Sequence, residues 1–299
     1  MQTIPAKTIV SGYSQCGWFG SNYNMNIYKG CCHGCIYCDS RSECYRVENF
    51  DTVRAKENAL EIIESDLRSK RKKGIVITGS MSDAYNPFEK EQRLTRGALE
   101  LIDRYGFGIV IDTKSDLVVR DLDLLQSIKK HSPVVVNFTI TTADNSLCRK
   151  LERNVNPTSE RLKALKTLSE GGISCGVLLM PILPFINDNK ENISEIVRLS
   201  AQSGAKWIYA GSSFFVTLRQ NQRDYFYDRL DEIFPNLKKQ YIQAFGNNYV
   251  CESPNNKFLW NLFETECQKY NLLYCMDEIA SQIQNVSNSK EEQLSLFNV

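Results

Sequence analysis

Apolar, β-branched runs alternate with stretches of helical periodicity along most of the 299 residues. A first strand is predicted near Tyr23–Tyr28, a helix from about Arg54 to Arg71, and a strand over Gly74–Thr78. A helix follows from about Glu89 to Tyr105, with Gly106 placed to end it. Phe107–Asp112 reads as strand, Val119–Lys130 as helix and Pro133–Ile140 as strand. The helix Thr158–Glu170 stops at Gly171-Gly172, and the strand Ile173–Met180 stops at Pro181 and Pro184. Glu191–Ser203 is a helix ending at Gly204, and Lys206–Ala210 is a sixth strand. Strands that alternate with helices pair in parallel through right-handed crossovers. The expected fold is therefore α/β, a partial (β/α)6 TIM-type barrel over residues 1–213. Beyond Ser213 the pattern turns helical and aromatic (Tyr225, Phe226, Tyr241, Trp260, Phe263), which predicts a C-terminal helical extension over 214–283. Residues 284–299 are polar until the last few and read as a mobile tail.

Composition changes this picture little. With 42% hydrophobic and 24% charged residues the chain has ample means to bury a core, and its net charge of +1 is no electrostatic footprint for nucleic acid. Arg68–Lys73 is the densest basic run, but it lies between a helix end and a strand start, where cations suit the helix C-terminus. The opening Met1–Lys7 carries no apolar signal region, and no apolar run nears the ~18 residues of a membrane span. Eleven cysteines without such a signal point to reduced thiols and a cytoplasmic setting.

Those cysteines are unevenly spread. Cys31-Cys32-His33-Gly34-Cys35-Ile36-Tyr37-Cys38 holds four of them, and Cys31, Cys35 and Cys38 fall in the spacing CxxxCxxC. Three thiolates on one loop can hold three irons of a 4Fe–4S cube and leave the fourth open. A structural zinc site completed by Cys32, His33 or Cys44 is a second reading, although zinc sites favour two paired ligand groups. A run of unconnected buried thiols is the third.

The wider string from Asn26 to Cys38, with Tyr28, Gly30, His33 and Tyr37 at fixed places, resembles the radical S-adenosylmethionine (SAM) enzymes and, among them, the branch related to spore photoproduct lyase. The resemblance implies an open six-unit barrel, a 4Fe–4S cluster on Cys31, Cys35 and Cys38, and SAM cleaved to a 5′-deoxyadenosyl radical that abstracts hydrogen. It implies DNA as substrate and an electron donor such as flavodoxin or ferredoxin. Tyr37 is placed beside the cofactor. At the second strand end, Ser80, Ser82 and Asp83 are candidates for the SAM amino group, and Tyr85, Pro87 and Glu89 also match the relatives. A capped βα turn accounts for the same residues. Lys114 and Ser115 at the third strand end suit a carboxylate, or Ser115 caps a helix. Thr139 and Thr141 at the fourth face the ribose in relatives, yet Thr is also simply a good strand residue. Glu152 and Arg161 either bind SAM's polar edges or pair with each other, and Met180 begins an apolar, Pro-containing edge near adenine.

One departure bears on the reaction. The lyase branch places a hydrogen-donating cysteine where this chain has Ser80, so either Cys148, Cys175, Cys251 or a tyrosine replaces it, or the reaction differs from photoproduct reversal. Finally, Gln293, Leu294, Leu296 and Phe297 resemble the peptide by which bacterial repair proteins dock on the sliding clamp. Enzymatic modification of RNA or of a protein side chain is the alternative activity, and a non-catalytic metal-binding adaptor of the replication machinery is the alternative class.

Overall fold

Near-continuous apolar strands, which belong in a parallel sheet covered on both faces, form the body of the structure. The computed structural model describes residues 1–13, 17–79 and 81–284. In chain order the strands are β1 (Gln2–Ile4), β2 (Val10–Gly12), β3 (Tyr23–Met25), β4 (Tyr28–Lys29), β5 (Arg54–Lys56), β6 (Ile75–Thr78), β7 (Gly108–Thr113), β8 (Val134–Thr139), β9 (Ser174–Leu178), β10 (Trp207–Tyr209), β11 (Phe215–Thr217) and β12 (Val250–Glu252). The helices are α1 (Ala59–Ser69), α2 (Glu89–Gln92), α3 (Leu94–Tyr105), α4 (Leu122–Lys129), α5 (Asn145–Leu151), α6 (Thr158–Glu170), α7 (Lys190–Gln202), α8 (Gln220–Ile233), α9 (Leu237–Phe245) and α10 (Asn256–Lys269). The main sheet has seven strands in the order β10-β9-β8-β7-β6-β3-β2; all its pairs are parallel except the edge pair β2–β3. The six-strand parallel order agrees with the barrel expected from the alternation.

Several expected elements differ in detail. The first strand is broken: β3 joins the main sheet, whereas β4 pairs with β5 in a small separate sheet. The expected helix from Arg54 therefore starts only at Ala59, because Arg54–Lys56 pairs with both β1 and β4. The expected helix Glu89–Tyr105 is split at Arg93, which has φ of 51°. The expected helix Val119–Lys130 begins as a 3-10 turn over Asp116–Asp121 and becomes α-helical only at Leu122. Gly106 ends α3 with φ of 70°, as the pattern required. Beyond Ser213 the chain is not purely helical, since β11 and β12 form an antiparallel pair.

The strand alternation divides the interior. Val76, Ile109, Ile111, Val136, Phe138, Val177 and Ile208 face the outer helices. Ile75, Ile77, Val110, Val135, Leu178 and Trp207 face the barrel lumen, where Phe19 from the N-terminal segment and Ile279 and Ile283 from the helical residues 276–284 pack against them. A third apolar cluster joins α8 and α9 to the cysteine loop through Ile36, Tyr37, Leu230 and Tyr241. Among the described residues no helix is long and apolar enough to cross a membrane.

Candidate active site

The cysteine loop leaves β4 at the face where the parallel strands end. Gly30 turns the chain there with φ of 82°, and a Cβ at this position would lie 2.3 Å from the Thr52 carbonyl oxygen. Backbone bonds then pin the loop: Cys31 N–H to Phe50 O (2.8 Å), Ile36 N–H to Leu151 O (2.9 Å) and Asn154 N–H to His33 O (3.0 Å). Two of these three bonds tie the loop to the end of α5 and the residues just after it.

The three motif cysteines lie close together: Cys38 acts on both Cys31 and Cys35, and Cys31 acts on Cys35. Burial, followed by the nearby Asp83 carboxylate, pushes the Cys31 thiol up to about 12. Burial also raises Cys35 and Cys38, and Lys114 opposes it at both. A set of three thiols that strongly resists ionisation suits a cationic cluster, whose irons supply the missing positive charge. Among the described residues no three of His, Cys, Asp and Glu converge on a single-ion site, while a cube takes its thiolates one per iron. The candidates for a fourth zinc ligand are engaged elsewhere: Cys32 packs against the main core, His33 Nδ1 lies 3.5 Å from Asp83, and Cys44 is exposed. The donor set therefore fits a cluster.

The second strand end ties the loop to the sheet. Ser82 Oγ donates to the Gly30 carbonyl (2.5 Å). Asp83 accepts from Tyr85 N–H (2.9 Å), Thr113 Oγ1 (2.7 Å) and Lys114 N–H (2.8 Å). Gly79 is required by its surroundings: with φ of 103°, a Cβ would meet the Asp112 carbonyl oxygen at 2.0 Å. Ser80 lies outside the described residues. Glu89 is fully buried, where it takes Arg120 (3.1 Å), the Thr95 N–H (3.0 Å) and the Tyr28 hydroxyl. Ser115 accepts from Leu117 N–H (3.3 Å) and caps the 3-10 turn.

Glu152 and Arg161 are paired with each other, the second of the two expected arrangements. Both are buried, and Glu152 also accepts from the Tyr37 hydroxyl of the cysteine loop. Arg161 donates to the Thr139 carbonyl (2.8 Å) and the Asn156 carbonyl (2.7 Å). Burial alone would raise the Glu152 carboxyl, but Arg161 and then Lys114 hold it below the ordinary range. The Thr141 carbonyl accepts from Asn187 (2.8 Å) and Asn192 (3.0 Å), while its buried hydroxyl has no partner among the described residues.

A cavity of about 410 Å³ opens beside the loop. Tyr37, Cys38, Lys114, Thr139 and Met180 line it, with Thr217 of β11 and Tyr249, just before β12, at its edge. Of the expected cofactor contacts, Tyr37, Thr139 and Met180 are on this cavity; Ser82, Asp83, Ser115, Glu152 and Arg161 stand behind it in hydrogen-bonded positions. The candidate cysteines are not brought to it. Cys148 lies against Glu152 (3.5 Å) and Arg161 (3.4 Å), Cys175 faces the outer helices, and Cys251 is buried in the α8–α9 cluster. Two residues missed in the sequence, Asp112 and Asn137, stand in the lumen just beneath Lys114 and Thr139 on the same strands. The alternation of β7 and β8 was the signal for them. A second hollow of about 660 Å³ lies on the outer side, between the N-terminus of α7 and the end of α10. Gln293, Leu294, Leu296 and Phe297 lie outside the described residues.

Residues 25–198 match the family model of the radical SAM superfamily, and the chain belongs to that superfamily. Its members use a 4Fe–4S cluster and SAM. An uncharacterised protein of Methanocaldococcus jannaschii is 38% identical over 179 residues, covering 59% of this chain and 66%, just under two thirds, of that relative. An uncharacterised protein of Mycobacterium tuberculosis is 27% identical over 230 residues, 75% of this chain and 67% of the relative. In solved structures, a mutant spore photoproduct lyase with bound AdoMet and dinucleoside spore photoproduct shares the fold at a TM-score of 0.62 and 14% identity, over 84% of this chain and 74% of the lyase.

Proposed function

We propose that this chain is a radical SAM enzyme acting on DNA, in lesion repair or base modification. The observation that carries it is the loop of Cys31, Cys35 and Cys38 held at the strand-end face beside the 410 Å³ cavity. When bound, the reduced cluster supplies the electron that cleaves SAM to methionine and a 5′-deoxyadenosyl radical. In this reading the three cysteines are the cluster ligands. Tyr37, Thr139 and Met180 contact SAM, while Ser82, Asp83, Ser115, Glu152 and Arg161 hold the loop and strand ends in register. The cover from residues 214–283 shields the cavity from water. The DNA assignment is supported by the fold shared with a lyase that binds a dinucleoside photoproduct, and by the resemblance of Gln293–Phe297 to a clamp-docking peptide.

The test is anaerobic reconstitution, followed by incubation of reduced protein and SAM with ultraviolet-damaged and undamaged DNA and by product mass. About four irons and four sulfides are expected, lost in Cys31→Ala, Cys35→Ala and Cys38→Ala but kept in Cys32→Ala and Cys44→Ala. Zinc uptake with no iron would end the radical reading, and no change in either DNA would end the DNA reading. Deleting residues 293–299 is expected to abolish binding to a bacterial sliding clamp and to leave melting temperature and SAM cleavage unchanged.

A further inference from the structure

Tyr45, Arg219 and Tyr249 form a cluster at the rim of the 410 Å³ cavity that none of the roles above uses. The chain brings them from three places. Tyr45 ends a 3-10 turn (Glu43–Tyr45) that follows the cysteine loop, Arg219 lies between β11 and α8, and Tyr249 precedes β12. Thr217 pairs with Val250 in the β11–β12 ladder, and Leu218 N–H donates to the Tyr249 carbonyl (2.8 Å), so the last two are brought side by side. The Arg219 guanidinium lies over both rings, 5.2 Å from the centre of Tyr45 and 5.1 Å from that of Tyr249. Asp39, one residue after Cys38, fixes the arrangement. It accepts from Arg219 (2.7 Å), from the Tyr45 hydroxyl (2.7 Å) and from Thr217 Oγ1 (3.3 Å). Asp39, Thr217 and Tyr249 all line the cavity, so what enters it passes this rim.

The two rings are not buried. Tyr45 is 36% exposed and Tyr249 45%. Arg219 covers one face of each, which leaves the exposed area on the outer faces and edges. Single apolar residues scattered over a surface need no explanation. Two rings ordered by one guanidinium at the mouth of a cavity are not scattered. Tyrosine also offers a large, rigid contact at low cost in conformational entropy.

The charge of the rim narrows the partner. Asp39 neutralises Arg219, and the whole chain carries a net charge of only +1. An anion gains little here, whereas a flat uncharged ring gains a face to lie on. We propose that this rim is a stacking platform for an unpaired nucleobase of single-stranded DNA, with Tyr249, which lines the cavity, as its inner ring and Tyr45 as its outer one. Stacking on an aromatic side chain tolerates any base, because every base has a π-face. A base within a duplex has both faces covered by its neighbours, so the platform selects DNA that is single-stranded or opened at that point. A contact through base faces displaces few counterions, so its salt dependence is shallow. The proposal rests on the DNA reading above and adds the form of DNA and the groups that hold it.

The test uses the reconstituted protein with SAM and labelled strands of one length, compared by fluorescence anisotropy: oligothymidylate, an abasic strand with the same phosphates, and oligouridylate. Wild type is expected to prefer oligothymidylate to the abasic strand by roughly five- to hundredfold, the range for a base stacked on an aromatic side chain. Tyr249→Leu combined with Tyr45→Leu keeps apolar bulk and removes both π-faces. It is expected to bring those two strands within about twofold of each other, with iron content as the check on folding. Tyr249→Phe, which retains the ring, is expected to keep the preference. Equal binding of the two strands by wild type, or undiminished preference in the double variant, overturns the platform while the DNA reading, tested by product mass, stands. Tighter binding of oligouridylate than of oligothymidylate assigns the platform to RNA and overturns the DNA occupant. Failure of wild type to bind any strand overturns both readings.

Discussion

Two carboxylates set into the interior of the same barrel meet opposite fates. Glu152 is almost fully buried, yet it is held below the ordinary carboxylate range because Arg161 lies against it and the Tyr37 hydroxyl donates to it. Asp112 is pushed up to about 7 by burial, which its two bonds from the neutral Asn137 and Trp18 and the charge of Lys114 only partly offset. Depth alone does not decide whether a buried acid is charged; the formal charge of its partners does. The contrast also separates two settings. The ion-paired acid ties the cysteine loop to α5 and α6, whereas the other is held inside the barrel by neutral side chains.

The largest effect is expected where the pairing is broken. Glu152→Gln leaves Arg161 buried without its countercharge, which costs about 3–5 kcal/mol for comparable pairs. Because Tyr37 and the loop lean on the same carboxylate, iron content after reconstitution is expected to fall with stability, as read by melting temperature and iron assay. Replacing both partners, Glu152→Gln with Arg161→Met, is expected to recover part of the stability. A single variant as stable as wild type would remove the distinction between the two acids.

A smaller and pH-dependent effect is expected at the unpaired acid. The folded Asp112 carboxyl has its affinity for protons raised above the unfolded value, so the native state binds more protons than the unfolded chain between about pH 4 and 7, and stability falls as pH rises through that window. Asp112→Asn cannot ionise and escapes this loss. Relative to wild type it is expected to gain on the order of 2 kcal/mol between about pH 5 and pH 8, measured by urea unfolding at each pH. A constant difference across that range would show that Asp112 titrates normally.

What the sequence made legible follows the range of its signals. The cysteine loop is local, with spacing and flanks inside thirteen residues, and the six parallel strands announced themselves as apolar runs. The alternative of a Glu152–Arg161 pair was open from charge alone, and the structure selects it. Strands β1, β2, β5, β11 and β12 have three residues each, too few for a period to emerge. Cys175 looked available as a thiol, but its neighbours in β9 decide otherwise: Gly176 and Leu178 face the lumen, so Cys175 faces the helices. The same parity puts Asp112 with Val110 and Lys114 inside the barrel. The filling of the lumen by Phe19, Ile279 and Ile283 had no local trace, because it joins the two ends of the chain.

The smallest effect tests why Asp112 is no more basic than it is. The Trp18 indole supplies one of its two hydrogen bonds, and such a bond favours the ionised form. Trp18→Phe removes the donor and keeps an aromatic ring against Tyr209 and Phe19. The carboxyl should then become still harder to ionise, and the pH window over which stability falls should extend upward. The lost packing of the larger ring weakens the fold equally at every pH, so it cancels when the variant's loss is compared at about pH 5 and pH 8. What remains is the bond to the charged form less the bond to the neutral form, on the order of 1 kcal/mol. In the background of Asp112→Asn the same substitution should show no such pH dependence, since the group that distinguishes the two conditions is gone. A pH-dependent loss that persists there would place its source at another acid, and the contrast with Glu152 would then rest on the hydrogen bond from Asn137 alone.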